Sequence, residues 1–228
     1  IILMTADEIF ETGQKASSHG LSLAIHAIGD RANRVVLDGY EKLRAFEKDR
    51  GYTGLQHRIE HVQLLHPDDY PRLAELGIIG SMQPIHCTSD MYISDRYWGK
   101  RAAGAYAFRT LLDQNTRLIF GSDAPVETPN PFVGIHAAVT RRRADGTPGP
   151  DGWNPQEKLP LHEVLHAYTA APALSSGFGR RLGTLTSGSF ADLIVLNQDP
   201  FEIQAQDLHL LSPDATMVGG TWVWSKPG

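Results

Sequence analysis

The strongest constraint on the fold is a regular alternation of short apolar segments with amphipathic segments over the first 142 residues. The alternation predicts strands at 21–25, 56–60, 78–82 and 117–120, and helices at about 5–20, 31–43, 67–76, 102–112 and 132–142. The strands are short and apolar, as is typical of strands buried on both faces of a parallel sheet. Strands that alternate with helices form βαβ units. The sequence therefore predicts an α/β protein with a parallel sheet.

The pattern changes in the last quarter of the chain. One more helix is predicted at 161–168, after a surface loop at 146–150. Short strands separated by turns are then predicted at 182–185, 192–196, 216–218 and 221–224. This pattern favours a small antiparallel β appendage. We therefore predict two domains, which cover residues 1–175 and 176–228.

Three polar side chains follow predicted strands of the α/β region. His26 follows the first strand, His61 the second and Asp123 the fourth. Parallel α/β folds place their working groups at the carboxyl ends of strands, so the three side chains are candidates for one site. Two imidazoles and a carboxylate suit a divalent transition metal such as zinc. The spacing alone leaves open both a metal site and a structural, hydrogen-bonding role.

Several short motifs carry a resemblance to a known family. The strings HAIGD from His26, RIEH up to His61 and GSDAP around Asp123 resemble the strand-five, strand-six and strand-eight motifs of the amidohydrolase superfamily. The likeness is to amidohydrolase family 3, in the branch that contains N-substituted formamide deformylase. QP at 83–84, AVTR at 138–141 and ADLIVL at 191–196 support it, the last resembling a β-sandwich closing segment. The motifs occur in order along nearly the whole chain.

The resemblance implies a fold, an activity and roles for particular residues. Residues 1–175 would form strands five to eight, the C-terminal half of a distorted TIM (β/α)8 barrel, and 176–228 part of a small β-sandwich. The activity would be hydrolysis of an amide, N-acyl or formamide-type C–N bond other than a peptide bond, by metal-activated water. His26 and His61 would be metal ligands, and Asp123 a ligand that also moves the proton. His86, which follows the third predicted strand, is either a substrate contact or a loop histidine.

Some features of the family have no counterpart in this sequence. The His-x-His pair of strand one and the bridging lysine or acidic residue of strand four are not found. We therefore expect a C-terminal portion that is inactive alone, from an enzyme that holds one or two divalent metals, with zinc favoured. One alternative is an incomplete half-barrel that works only when paired with the missing half or with a second copy, as a homo-oligomer. Another is a ring deaminase, and His26, His61 and Asp123 suit all three.

Composition gives no sign of a nucleic-acid or membrane partner, and the resemblance implies a small-molecule substrate. The formal net charge is -5, with 21 basic and 26 acidic residues, and no basic stripe indicates nucleic-acid binding. The one basic run, 141–143, is predicted to be a solvated helix end. No segment has the roughly 18 apolar residues that a membrane helix needs. The single cysteine, Cys87, is compatible with a reducing cytoplasm, and a buried or idle thiol is favoured over a nucleophile.

Two further groups of side chains are weaker candidates for a functional site. Asp90, Tyr92 and Trp98 are predicted to lie in a long loop, where substrate specificity often resides. His162 and His166 are four residues apart on a predicted helix, and a helix face is favoured over a metal pair.

Overall fold

The computed structural model describes residues 2–179 and 181–227 of the chain. The helices are α1 (Ala6–Ser18), α2 (Asp30–Arg50), α3 (Tyr70–Glu75), α4 (Pro84–Ser89), α5 (Met91–Trp98), α6 (Phe108–Asp113), α7 (Pro131–Thr140), α8 (Leu161–Tyr168) and α9 (Ala170–Ser175). The strands are β1 (Ala24–Ala27), β2 (Arg58–His61), β3 (Ile79–Met82), β4 (Leu118–Phe120), β5 (Leu193–Leu196), β6 (Pro213–Val218) and β7 (Thr221–Ser225). Short 3-10 turns cover Pro67–Asp69, Gly99–Gly104, Pro155–Glu157 and Ala205–Leu210.

The chain divides into two compact units. The first comprises Ile1–Met82 and Tyr92–Ile119, and the second Gln83–Met91 and Phe120–Gly228. This division follows packing, whereas the domains predicted at 1–175 and 176–228 follow the change in sequence pattern and stay a prediction. Among the described helices, none combines the length and apolar character needed to cross a membrane.

Strands β1 to β4 form one sheet in the order β1-β2-β3-β4. β1 pairs with β2 and β2 with β3 in parallel, so the predicted α/β class with a parallel sheet is confirmed. β1 begins at Ala24, three residues later than the predicted strand, and His26 therefore lies within it rather than after it. The physical reason is that the apolar residue Leu21 is exposed and does not join the ladder.

The first two helices of the first unit pack closely on each other. α1 begins with the predicted capping box, in which Thr5 Oγ1 accepts from the Glu8 backbone N–H and the Glu8 carboxylate accepts from the Thr5 N–H. Gly39 of α2 permits close approach, because a Cβ there would lie 2.6 Å from Cγ2 of Ile9. The apolar face of α2 is buried with Leu37 at its centre.

A buried polar network links these helices to the start of β2. The Glu47 carboxylate accepts hydrogen bonds from Ser17 Oγ at 2.5 Å, His57 Nε2 at 2.7 Å and Arg44 at 2.9 Å. Nδ1 of His57 accepts from the Leu23 backbone N–H at 2.9 Å, so the ring is neutral with its proton on Nε2. Burial lowers the pKa of His57, against the raising effect of Glu47. The sequence motifs carry no signal of this network.

The second unit has a helical part and a β part. α7 packs against α4, α8 and the turn Ala205–Leu210, and its residues Phe132, Ile135 and Ala138 are buried. β5, β6 and β7 form an antiparallel sheet in that order, as predicted for the β appendage. The strand predicted at 182–185 is wrong, because bends and irregular backbone cover those residues.

The segment that follows β3 differs most from the prediction. Two helices, α4 and α5, replace the predicted long loop, and Tyr92 and Trp98 lie on α5. In α4 every residue from Pro84 to Thr88 is buried. A helix that is buried on all sides has no amphipathic period, which is why hydrophobic periodicity missed it. The next predicted helix, 102–112, is also shorter, since α6 begins only at Phe108.

The basic run at 141–143 is not a solvated helix end. Arg141 caps α7 in a left-handed conformation and is fully buried. Its Nε donates to the Trp153 carbonyl oxygen at 2.9 Å, and its guanidinium lies 5.2 Å from the centroid of the Trp153 ring. A hydrogen bond and a cation–π contact satisfy the buried charge, so charge patterning alone predicted the wrong environment.

Candidate active site

Two histidines meet at the carboxyl ends of adjacent strands in the first unit. In the β1–β2 register His26 is opposite Glu60, and Ala27 is opposite His61. The imidazole centroids of His26 and His61 are 4.5 Å apart, with the ring planes at 69°. His26 is exposed and His61 is half-buried. The two rings therefore lie side by side, and their role as metal ligands stays a prediction.

The backbone at the end of β2 explains how the rings meet. Residues opposite each other share a face, and neighbours along a strand alternate, so in a regular ladder His26 would share its face with Glu60 and not with His61. His61 instead has a φ of 81°. Because φ turns the Cβ about the N–Cα bond, this conformation reorients the His61 side chain at the strand end. The left-handed conformation thus makes the pairing of the two rings possible.

This strand end is strained. Val62 follows with a φ of 47°, which is unusual for a β-branched residue. Such conformations cost about 1–3 kcal/mol each and persist only where the surroundings hold them. Two backbone hydrogen bonds do so here: Val62 N–H donates to the Ala27 carbonyl at 3.1 Å, and Leu64 N–H to the Ile28 carbonyl at 2.9 Å. Sequence analysis gave no signal of this strain.

A second group of chemically active side chains lies in the second unit. His86 Nε2 is 3.4 Å from Asp123 Oδ2, and His86 Nδ1 is 3.6 Å from Glu127 Oε1. The His86 side chain is 7% exposed, against 39% for Asp123. Both nitrogens of a buried ring therefore face carboxylates, while Asp123 also reaches solvent. Glu127 was not predicted from the sequence as a site residue. Its only local signal is its position four residues after Asp123.

The local sequence explains why His86 is held in this position. Pro84 lies in the first turn of α4, where the missing N–H is not needed for a helical hydrogen bond. The far end of α4 is fixed by Arg143, which donates to the carbonyl oxygens of Thr88 and Ser89 at 2.9 and 3.1 Å. Asp123, in the turn after β4, has a φ of 58°. Pro84 at the start of α4 and Arg143 at its end thus fix the helix that carries the His86 imidazole.

The donor chemistry of both groups fits a divalent metal. Two imidazoles 4.5 Å apart can each direct one nitrogen at a common ion, and a carboxylate is a regular ligand of zinc and similar metals. His26 and His61 come together in the first unit, and His86 and Asp123 in the second. Cys87 is buried and burial raises the pKa of its thiol, in agreement with the predicted inert role. His162 and His166 are exposed on α8.

Comparisons with known proteins agree on one family. The amidohydrolase family model, that of family 3, matches residues 4–224. The putative amidohydrolase YtcJ of Bacillus subtilis (strain 168) is 35% identical over 214 residues, which cover 93% of this chain and 39% of that protein. N-substituted formamide deformylase of Arthrobacter pascens is 30% identical over 223 residues, 97% of this chain and 40% of that enzyme.

A solved structure adds the fold. An uncharacterized metal-dependent hydrolase from Pyrococcus horikoshii OT3 superposes with a TM-score of 0.76 and 32% identity, over 89% of this chain and 39% of that one. The chain spans about two fifths of the length of the curated relatives it matches. Since the family model matches nearly the whole chain, this chain belongs to the amidohydrolase family.

Proposed function

We propose that this chain is the C-terminal portion of a metal-dependent hydrolase that cleaves a C–N bond other than a peptide bond. The observation that carries the proposal is the pair of imidazoles, His26 and His61, 4.5 Å apart at the carboxyl ends of neighbouring parallel strands. The substrate class is an amide of the N-acyl or formamide type. It rests on the 30% identity to N-substituted formamide deformylase over 97% of the chain.

We assign His26, His61 and Asp123 as metal ligands, with zinc as the favoured metal and one or two ions in the complete enzyme. A divalent metal bound there supplies Lewis-acid activation of water and of the substrate carbonyl. The imidazoles contribute uncharged nitrogen ligands. They would therefore not offset the positive charge that the metal brings to the site. Asp123 contributes a carboxylate that stays in contact with solvent.

Asp123 also has the role of proton carrier. Its carboxylate accepts a proton from the attacking water and delivers it to the leaving nitrogen, which must be protonated to depart as an amine. His86 lies next to the carboxylate, with Nε2 3.4 Å from Oδ2, and we assign it as a substrate contact. Glu127, at the other ring nitrogen, orients the imidazole. A buried ring held from both sides keeps the geometry that such contacts need.

Elemental analysis of the purified 228-residue chain tests the ligand assignment. We expect bound divalent metal in the wild type and its loss in His26→Ala and Asp123→Ala. His162→Ala is the matched control, because this histidine is exposed on α8, and it should retain the metal. A well-folded wild type without metal, or equal loss in His162→Ala, would refute the assignment. The substrate class is tested on the full-length protein with N-formyl and N-acyl amines against dipeptides.

The architecture of the complete site is part of the same proposal. The sheet β1–β4 fits strands five to eight of a distorted TIM barrel, and β5–β7 fit part of a β-sandwich, with domains at 1–175 and 176–228. The cytoplasmic location predicted from the single Cys87 also stays a prediction.

A second candidate is a half-barrel that works only when assembled. Within the described residues β1 is an outer strand of its sheet, so one of its edges has no strand beside it. Unpaired strand edges favour association with another chain. Size-exclusion chromatography with light scattering tests this candidate, on the chain alone and on the chain mixed with the separately expressed remainder of the protein. A dimer in the first experiment or a complex in the second supports it. A stable monomer in both experiments contradicts it.

A further inference from the structure

Asn33 makes an unusual set of contacts in the first unit. It lies near the start of α2 and is fully buried. Its side-chain Nδ2 lies 3.1 to 3.3 Å from the carbonyl oxygens of Ala27, Ile28, Gly29 and Leu64. The two hydrogens of one amide are thus shared among four acceptors on two separate segments.

The four acceptors border the paired histidines. Ala27 directly follows His26, and Leu64 lies three residues after His61. We propose that Asn33 is a positioning residue that holds the imidazoles of His26 and His61 in the arrangement that receives one metal ion. This inference rests on the proposed function, since it assigns Asn33 a role in the same site.

The strained backbone at the end of β2 is held by Asn33 in addition to backbone hydrogen bonds. His61 and Val62 are both left-handed, and such a segment relaxes unless several contacts hold it. The Ala27 and Ile28 carbonyls already accept backbone N–H groups from the segment after β2. Asn33 donates to the same two carbonyls and to Leu64, so one side chain locks both strand ends together.

The acceptor end of the same amide indicates that stability is not its only role. Among the described residues, Oδ1 of Asn33 is buried and has no hydrogen-bond partner. Burying an acceptor without a partner is unfavourable, and such groups in folded proteins call for an explanation. The Nδ2 end of the side chain must be a donor, because its four partners are all carbonyl oxygens. A carboxylate could not replace it.

The same helix offers a matched control at the opposite end of the two strands. Tyr40 is also fully buried, and its hydroxyl lies 2.8 Å from the Arg58 carbonyl and 3.3 Å from the Leu23 carbonyl. It therefore joins β1 and β2 near their amino ends, away from the histidines. Tyr40→Phe removes a buried donor that bridges the same strands without touching the strained segment.

The experiment compares wild type, Asn33→Leu and Tyr40→Phe in the 228-residue chain. Zn²⁺ affinity is measured by competition with a chromophoric chelator, imidazole ring resonances by NMR without metal, and unfolding by urea. We expect both variants to have lower urea midpoints. Asn33→Leu should weaken Zn²⁺ binding about tenfold or more, the range seen when supports of metal ligands are removed. It should also shift the ring resonances of His26 and His61, and Tyr40→Phe should change neither.

Two outcomes would overturn the inference. One is Asn33→Leu with wild-type affinity and unchanged ring resonances, and the other is Tyr40→Phe with an equal loss of affinity. If Asn33→Leu does not fold, Asn33→Ala, which also removes the donor, takes its place under the same criteria. If the wild type binds no Zn²⁺ through His26, the proposed function fails, and the resonances measured without metal still decide whether Asn33 positions the two rings.

Discussion

Replacement of Glu47 by alanine should lower the free energy of unfolding by about 3–5 kcal/mol, the range for removing one partner of a buried ion pair. The Glu47 side chain is 3% exposed and accepts three hydrogen bonds, from Ser17, His57 and Arg44, at 2.5 to 2.9 Å. Hydrogen bonds to charged groups contribute about 1.5–3 kcal/mol each. Water reaches the partly exposed Arg44, which keeps the total below their simple sum.

Urea unfolding of the wild type and three variants measures the loss. Glu47→Gln keeps an oxygen that accepts from His57 but loses the charge, so it should be less destabilising than alanine. Glu11→Ala is the matched control, because Glu11 is exposed on α1, and it should stay within about 0.5 kcal/mol of the wild type. A loss below about 1 kcal/mol for Glu47→Ala would refute the view that this network joins α1, α2 and β2. Zn²⁺ binding should not change, since the network lies at the amino ends of the strands.

The same network should make the unit sensitive to acid. Burial lowers the pKa of His57 from 6.5, so below about pH 6.5 the unfolded ring binds a proton that the folded ring does not, and stability falls as the pH decreases. Burial alone would raise the pKa of Glu47, but hydrogen bonds from Ser17 and His57 lower it from 4.5, which adds a further loss below about pH 4.5. Urea midpoints between pH 8 and 4 measure the effect. An identical slope above pH 5 in His57→Gln would contradict it.

Three further predictions concern the second unit. Gly134→Ala should destabilise by about 1–3 kcal/mol, because the new Cβ would lie 2.0 Å from the Tyr168 hydroxyl, and thermal unfolding measures this. Arg141→Met should lower the urea midpoint far more than Arg142→Met, since only Arg141 is fully buried, and equal shifts would contradict the burial of its charge. Cys87 should react with a thiol reagent only at the rate of unfolding, so fast labelling of the native chain would be unexpected.

Elements with strong local signals were predicted well from the sequence. The capping box at Thr5 gave the start of α1, and the apolar pattern at 161–168 gave the bounds of α8. The parallel order of β1 to β3 followed from the alternation of strands and helices. These features depend on neighbours in the chain, and propensity and periodicity describe such neighbours directly.

Features set by tertiary contacts were not predicted. α4 is buried on every side and has no periodic face, and Arg141 is buried because Trp153 supplies a carbonyl and a ring twelve residues later. Glu127 becomes a candidate only once the structure brings it to the Nδ1 nitrogen of His86. In each case the deciding partner is remote, so no local window of sequence contains the information.

The pairing of His26 and His61 depends on a backbone conformation that the strand-end rule does not include. The rule that working groups follow strand ends selected both residues, yet strict alternation in the observed register would place His61 on the face opposite His26. The two rings meet only because His61 adopts a φ of 81°, a conformation that is uncommon for residues other than glycine. That conformation depends on hydrogen bonds to the carbonyl oxygens of Ala27 and Ile28 and on the side chain of Asn33. The sequence does not reveal these groups as partners. Local and tertiary preferences thus conflict at the residue proposed to bind the metal, as is expected where function sets the backbone.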